Sequence, residues 1–207
     1  MKKKFQFILF AFLTFCNLQA TLPEPYASIH VLPFDGHGWF GNQEPLKNIL
    51  HAGSINTVIE VGSWLGSSTR FIASELPEDG VVYAVDTWLG TPEEVLHCTD
   101  PRLPYLYQQF LSNVIHAGLT KKIVPIRMHS QEAANALHLK AGLIYLDASH
   151  ETENVYKDIL AWYPHLAEGG MMCGDDWLWP TVQVAVMNAS QVLQRKVHSV
   201  ENFWWFE

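Results

Sequence analysis

The chain has 207 residues, of which 48% are apolar and 16% charged, and it carries a net charge of −8. That length suits one α/β domain with a sizeable core and leaves little room for a second. With an acidic balance and no basic stripe, a nucleic-acid backbone is excluded as the main partner.

The first twenty residues read as a leader. Met1-Lys2-Lys3-Lys4 is a basic start, Phe5 to Phe15 an apolar run broken only by Gln6 and Thr14, and Asn17-Leu18-Gln19-Ala20 a polar end closing on a small residue. This is a secretory signal peptide in outline, which predicts export of the mature chain. The run is too short for a comfortable membrane span, which takes about 20 apolar residues, so no stable span is expected after cleavage. An uncleaved anchor that keeps the domain facing the cytosol is the alternative. Cys16 would leave with the leader. Of the remaining cysteines, Cys173 falls in an expected central strand, where a buried free thiol is the plainer reading than a disulfide with Cys98.

Residues 21–56 form an extension before the domain proper, within a single domain over 21–207. Residues 21–41 are punctuated by proline and glycine, and Phe34-Asp35-Gly36-His37-Gly38-Trp39-Phe40 places aromatics where a lid or cleft wall would want them. A short amphipathic helix over 43–52 turns Leu46, Ile49 and Leu50 to one side. Strands are then expected at 57–62, 81–86, 122–128, 141–147 and 169–174, alternating with helices at 67–75, 103–116, 131–137, 152–163 and 181–194. Two short strands, 196–200 and 203–206, close the chain as a hairpin. Such alternation means right-handed βαβ units, a mostly parallel seven-stranded sheet covered on both faces, and an antiparallel hairpin strand at its end: a Rossmann-like three-layer sandwich.

The first strand runs Thr57-Val58-Ile59-Glu60-Val61 and breaks at Gly62; Gly66 follows, and Ser67, Ser68 and Thr69 open a helix. A strand that turns through glycine into a helix brings backbone N–H groups and the positive end of a helix dipole to a ligand. Glu60 at the mouth of that crevice suits a ligand bearing an ammonium group better than a pyrophosphate. It argues, with the missing G-x-G-x-x-G, against a nicotinamide-dependent reductase.

Acids recur at the strand ends, where open α/β sheets bind ligands. Asp86 can accept hydrogen bonds from a ribose diol, or cap the next helix. Thr87 and Trp88 just beyond it could set an aromatic ring near a nucleoside. Ser130 either caps its helix or bonds near an adenine. Asp147, Asp175 and Asp176 make an oxygen-rich cluster of the kind that hard divalent cations prefer, Mg²⁺ above all. His150, three residues past Asp147, stands where it could take a proton from a hydroxyl; helix capping or packing is the alternative.

From Phe34 to Glu207 the chain resembles class I S-adenosylmethionine-dependent O-methyltransferases of the small metal-dependent type. It is particularly similar to sugar O-methyltransferases of macrolide and aminocoumarin antibiotic biosynthesis. The resemblance rests on Val58–Thr69, Val82–Gly90, Leu143–His150 and Gly169–Trp177. It implies S-adenosylmethionine held by Glu60, Gly62, Ser63, Gly66, Ser67 and Ser68, its ribose by Asp86, a Mg²⁺-type ion at Asp147, Asp175 and Asp176, and His150 as general base. Ala148 departs from the glycine that often follows the fourth-strand aspartate. The expected reaction is methyl transfer to a hydroxyl of a small molecule, a sugar or a phenol; a nucleoside-binding protein without transfer is the alternative. The acceptor and a homo-oligomeric state are left open by the sequence, and a cytosolic methyl donor sits awkwardly with an export signal.

Overall fold

A computed structural model describes residues 22–91 and 95–207; the expected leader lies outside the described residues. Seven strands form one sheet in the order β3-β2-β1-β4-β5-β7-β6. They are β1 (Thr57–Val61), β2 (Val81–Asp86), β3 (Ile123–Arg127), β4 (Ala141–Leu146), β5 (Leu166–Gly174), β6 (Val197–Val200) and β7 (Phe203–Phe206). The first five run parallel, and β7 pairs antiparallel with both β5 and β6.

The helices follow the expected alternation: α1 (Gln43–Ala52), α2 (Ser67–Glu75), α3 (Val95–Cys98), α4 (Leu106–His116), α5 (Ser130–Ala136), α6 (Thr152–Trp162) and α7 (Pro180–Leu193). Two cores result, one on each face of the sheet. On the first, Leu46 and Leu50 of α1, Ile72 of α2 and Phe110 and Val114 of α4 pack on Val58, Leu143 and Tyr145. On the second, Ile159 and Trp162 of α6 and Ala185 and Val186 of α7 pack on Ile59, Ile144 and Trp204. The central strands β1 and β4 are buried along nearly their whole length, as apolar runs in a doubly covered parallel sheet must be.

The differences from expectation are local. Residues 87–105 carry a short helix, α3, and Leu103–Tyr105 form a 3-10 turn in front of α4. Strand β5 starts three residues early, at Leu166, because its pairing with β4 shifts register between Ala141 and Leu143 and so accommodates Gly169-Gly170 within the strand. Cys173 is a buried free thiol and Cys98 an exposed one. Among the described residues no helix is long and apolar enough to cross a membrane.

Candidate active site

The carboxyl ends of β1, β2, β4 and β5 bring Glu60, Asp86, Asp147, Asp175 and Asp176 to one rim of the sheet. Strand pairing does this directly: Asp147 donates its backbone N–H to Val61 (2.8 Å), Gly62 to Val85 (2.8 Å) and Asp175 to Leu146 (3.0 Å).

The glycine turn is built from inside. Gly62 (φ 91°) and Gly66 (φ 77°) take backbone conformations that side chains resist, and so does Trp64 (φ 45°) between them. Glu60 is completely buried. Its Oε2 accepts from Ser63 Oγ (2.7 Å) and from the Thr69 hydroxyl. Burial pushes the Glu60 carboxyl up to about 7, against the hydroxyls of Ser68, Thr69 and Ser63, which favour the charged form, and with a further push from Asp86. Glu60 therefore does not stand at the mouth of the crevice, as expected, but beneath the turn. There its hydroxyl partners tie the end of β1 to the first turn of α2.

Asp86 serves the same turn. Its Oδ2 accepts from the backbone N–H groups of Ser63 (2.9 Å) and Trp64 (2.8 Å), and its Oδ1 from that of Trp88 (2.7 Å). A carboxylate offers about four lone-pair sites, so three are spent on the chain itself. The capping alternative for Asp86 does not hold, since no helix begins there. Thr87 accepts from the N–H of Leu89 (3.2 Å) and fixes the following bend. Trp88 departs from expectation: its ring is 1% exposed. It packs on Tyr107 and Phe110 at 4.7 Å each and donates Nε1–H to the Trp64 carbonyl (2.7 Å). It is core, drawn inward because an indole buries more apolar area there than at the rim. The aromatic surface at this end belongs instead to Trp64, stacked on His97 at 4.8 Å, and to exposed Trp39, 5.8 Å from Trp64.

Ser130 neither caps a helix nor faces outward. Its hydroxyl donates to Asp158 Oδ1 (2.7 Å) and accepts from Trp162 Nε1 (2.9 Å), joining α5 to α6. Ser67 opens α2 under the segment that carries Trp39, and a Cβ on Gly38 would lie 3.3 Å from its own. That segment is strapped down by Asn113, which donates to the carbonyls of Asp35 (2.7 Å) and Leu65 (2.9 Å).

Asp147, Asp175 and Asp176 come together as expected: one oxygen from each lies within 4.8 Å of the others. Burial first, then repulsion from Asp175, Asp176 and Glu60, holds Asp147 well above the usual carboxylate range; burial and Asp176 raise Asp175. A cavity of about 20 Å³ beside the three carboxylates suffices for one water-sized guest. Hard oxygen donors crowded without a lysine or arginine among them fit a divalent cation. His150 Nε2 lies 2.6 Å from Asp176 Oδ2, with Trp179 stacked on the imidazole at 4.4 Å.

Three more residues surround this cluster, and nothing in their sequence setting marks them. The buried Tyr145 hydroxyl lies 3.4 Å from Asp147 Oδ2 and 3.5 Å from Asp175 Oδ2. Asn42 donates to that hydroxyl (3.4 Å), and Asn202 donates to Asp175 Oδ1 (2.7 Å) and Asp176 Oδ1 (3.2 Å). Tyr145 reads as an ordinary strand residue and Asn202 as a hairpin turn; only tertiary folding gives them this role.

A sheet of order 3-2-1-4-5-7-6, with a glycine turn after β1 and acids at the tips of β1, β2, β4 and β5, defines a class I methyltransferase, the class that uses S-adenosylmethionine. The family described as a methyltransferase domain matches residues 59–177; the chain belongs to it. No curated protein matches. Solved structures share the fold. The O-methyltransferase TomG of Streptomyces achromogenes, in complex with S-adenosylmethionine, is 12% identical at a TM-score of 0.65, with 84% of this chain and 82% of that one covered. An O-methyltransferase from Bacillus cereus, in complex with S-adenosylhomocysteine, is 13% identical at 0.61, with 87% and 86% covered. Cofactor-bound Rv0187 of MTB is 14% identical at 0.64, with 82% and 80% covered.

Proposed function

We propose that the chain transfers the methyl group of S-adenosylmethionine to a hydroxyl of a small molecule, a sugar or a phenol, with a divalent cation at Asp147, Asp175 and Asp176. The observation that carries this reading is the convergence of those three carboxylates, with His150 beside them, at the rim that also holds the glycine turn.

The nucleoside would lie across the ends of β1 and β2. The backbone at Gly62–Gly66 and the start of α2 at Ser67 and Ser68 line its path. Asp86 has one lone-pair site left for a ribose hydroxyl, so a full diol contact displaces one of the loop N–H groups. Glu60 and Ser63 act through the turn that they hold in shape. Methyl transfer is an in-line displacement: the acceptor oxygen forms a bond to the methyl carbon as the carbon–sulfur bond breaks, and the electron pair stays on sulfur. The chain's part is to align the oxygen and to remove its proton. Asp147, Asp175 and Asp176 would hold a divalent ion, which would supply Lewis-acid chemistry that lowers the pKa of the acceptor hydroxyl. The proton passes to His150, which its Asp176 partner and the Trp179 stack hold in one orientation.

The test is transfer of label from S-adenosylmethionine onto sugar and phenol hydroxyls, with and without a chelator. Turnover that Asp147→Ala abolishes, while cofactor binding survives, supports the reading. Cofactor binding with no transfer to any hydroxyl leaves a binding protein of the same fold.

A further inference from the structure

The hairpin that closes the chain carries an asparagine whose side chain serves another part of the molecule. Glu201 and Asn202 join β6 to β7, with Val200 paired to Phe203 across the turn. Asparagine in a turn ordinarily bonds its own backbone. Asn202 reaches instead to the loop that follows β5. Its Nδ2 donates to Asp175 Oδ1 (2.7 Å) and to Asp176 Oδ1 (3.2 Å), and its Oδ1 accepts from the N–H of Leu178 (3.0 Å). Its backbone carbonyl accepts from the N–H of Trp177 (2.9 Å). The Leu178 N–H can only donate, which fixes the amide with its oxygen toward Leu178 and its NH₂ toward the two acids.

The loop needs such a clamp. Asp176 takes a left-handed φ of 62°, uncommon outside glycine. Its carboxylate is held from both sides, Oδ1 by Asn202 and Oδ2 by His150, whose Nε2 lies 2.6 Å away. Its carbonyl accepts from the N–H of Trp179 (2.9 Å), the residue whose ring stacks on that imidazole. One hairpin residue therefore fixes two of the three carboxylates and, through the loop, the ring against His150. The chemistry of the amide matters as well. A lysine or arginine here would bring its own positive charge to the acids, and a further acid would add to three that already repel one another. An amide donates hydrogen bonds without charge, so the negative charge of the cluster is left for a cation.

We propose that Asn202 is a positioning residue for the ion site: it sets the Asp175 and Asp176 carboxylates to take a divalent cation together with Asp147, and keeps His150 beside them. This rests on the reading of those three carboxylates as an ion site. It gives the closing hairpin a part in the reaction, by way of a residue that touches neither the cation nor the substrate.

The test is calorimetry of the full chain with Mg²⁺. Asn202→Gly is the discriminating variant, because hairpin turns favour glycine at this position and the carbonyl bond to Trp177 remains; only the amide is lost. Its Mg²⁺ affinity is expected to fall at least about tenfold, the usual effect of removing a group that orients metal ligands. A part in the turn alone would leave that affinity unchanged, and this result overturns the proposal. Asn202→Asp gives a second readout, since it keeps the side chain's shape and its bond to Leu178 but sets a fourth negative charge on the cluster. Its melting temperature is expected to fall in chelator and to recover with Mg²⁺; an equal deficit in both conditions overturns the proposal. If the unmodified protein takes up no Mg²⁺, the ion reading falls and this proposal with it. If the unmodified protein and Asn202→Gly bind Mg²⁺ equally well, this proposal alone falls.

Discussion

A Cβ built on Gly62 would lie 1.9 Å from the carbonyl oxygen of Asp147. The glycine at the end of β1 is therefore what lets the Asp147 end of β4 run close beside the Gly62–Gly66 turn. Gly62→Ala is predicted to destabilise the fold by about 3–5 kcal/mol, through overlap with backbone that cannot move and through its positive φ. Urea denaturation measures this, and a loss under about 1 kcal/mol would mean that the two strand ends are not so tightly joined.

Glu60 gives the fold a pH dependence. Its carboxyl titrates at about 7 in the folded protein, from an ordinary value of 4.5. Below the ordinary value it is protonated in both states and costs nothing. As pH rises, the unfolded chain loses the proton first, so stability falls through the window from 4.5 to about 7 and stays low above it. The full penalty is on the order of 3 kcal/mol. Glu60→Gln should flatten that slope in stability curves taken between pH 4.5 and 8; an unchanged slope would assign it to other groups.

The three crowded carboxylates should behave oppositely with and without a cation. In chelator, Asp175→Asn relieves repulsion and is expected to raise the melting temperature by about 2–4 °C, equivalent to about 1 kcal/mol in a chain of this size. On adding Mg²⁺ the unmodified protein should gain stability and the variant little or none. Equal gains in both would place ion binding elsewhere.

Arg102 ties together the two irregular segments of the rim. Its guanidinium donates to Asp100 (2.6 and 2.8 Å) and to Asp35 (3.1 Å). Arg102→Ala should cost about 1–2 kcal/mol and speed proteolysis within 87–105, and Arg102→Lys should not restore the protection, because an ammonium cannot bridge both carboxylates in that fork. Limited proteolysis followed by mass spectrometry reads this directly.

What is legible in the sequence is what depends on local pattern. The helices at 43–52 and 67–75 and the strands at 81–86 and 203–206 fall where periodicity and turn residues place them. The acids at the strand ends are legible because a carboxylate that closes an apolar run is costly to bury and so marks where the strand meets water or a ligand. The direction of each side chain is not. Glu60 looks outward from its position in the sequence, yet the Ser63 and Thr69 hydroxyls three and nine residues on draw it under the turn. Trp88 and Ser130 resemble cofactor contacts in sequence and are packing residues in the fold, because Phe110 and Asp158, distant along the chain, offer them better partners. Asn42 reaches Tyr145 across more than a hundred residues, a pairing that no spacing rule marks.

The central claim is that the rim formed by the glycine turn and Asp86 holds S-adenosylmethionine. Isothermal titration calorimetry of the full chain with S-adenosylmethionine tests it most directly. One site per chain is expected, weakened at least about tenfold, or 1.4 kcal/mol, by Asp86→Ala and left intact by Asp175→Asn. Absence of binding to the folded protein, or binding that Asp86→Ala leaves unchanged, would contradict it.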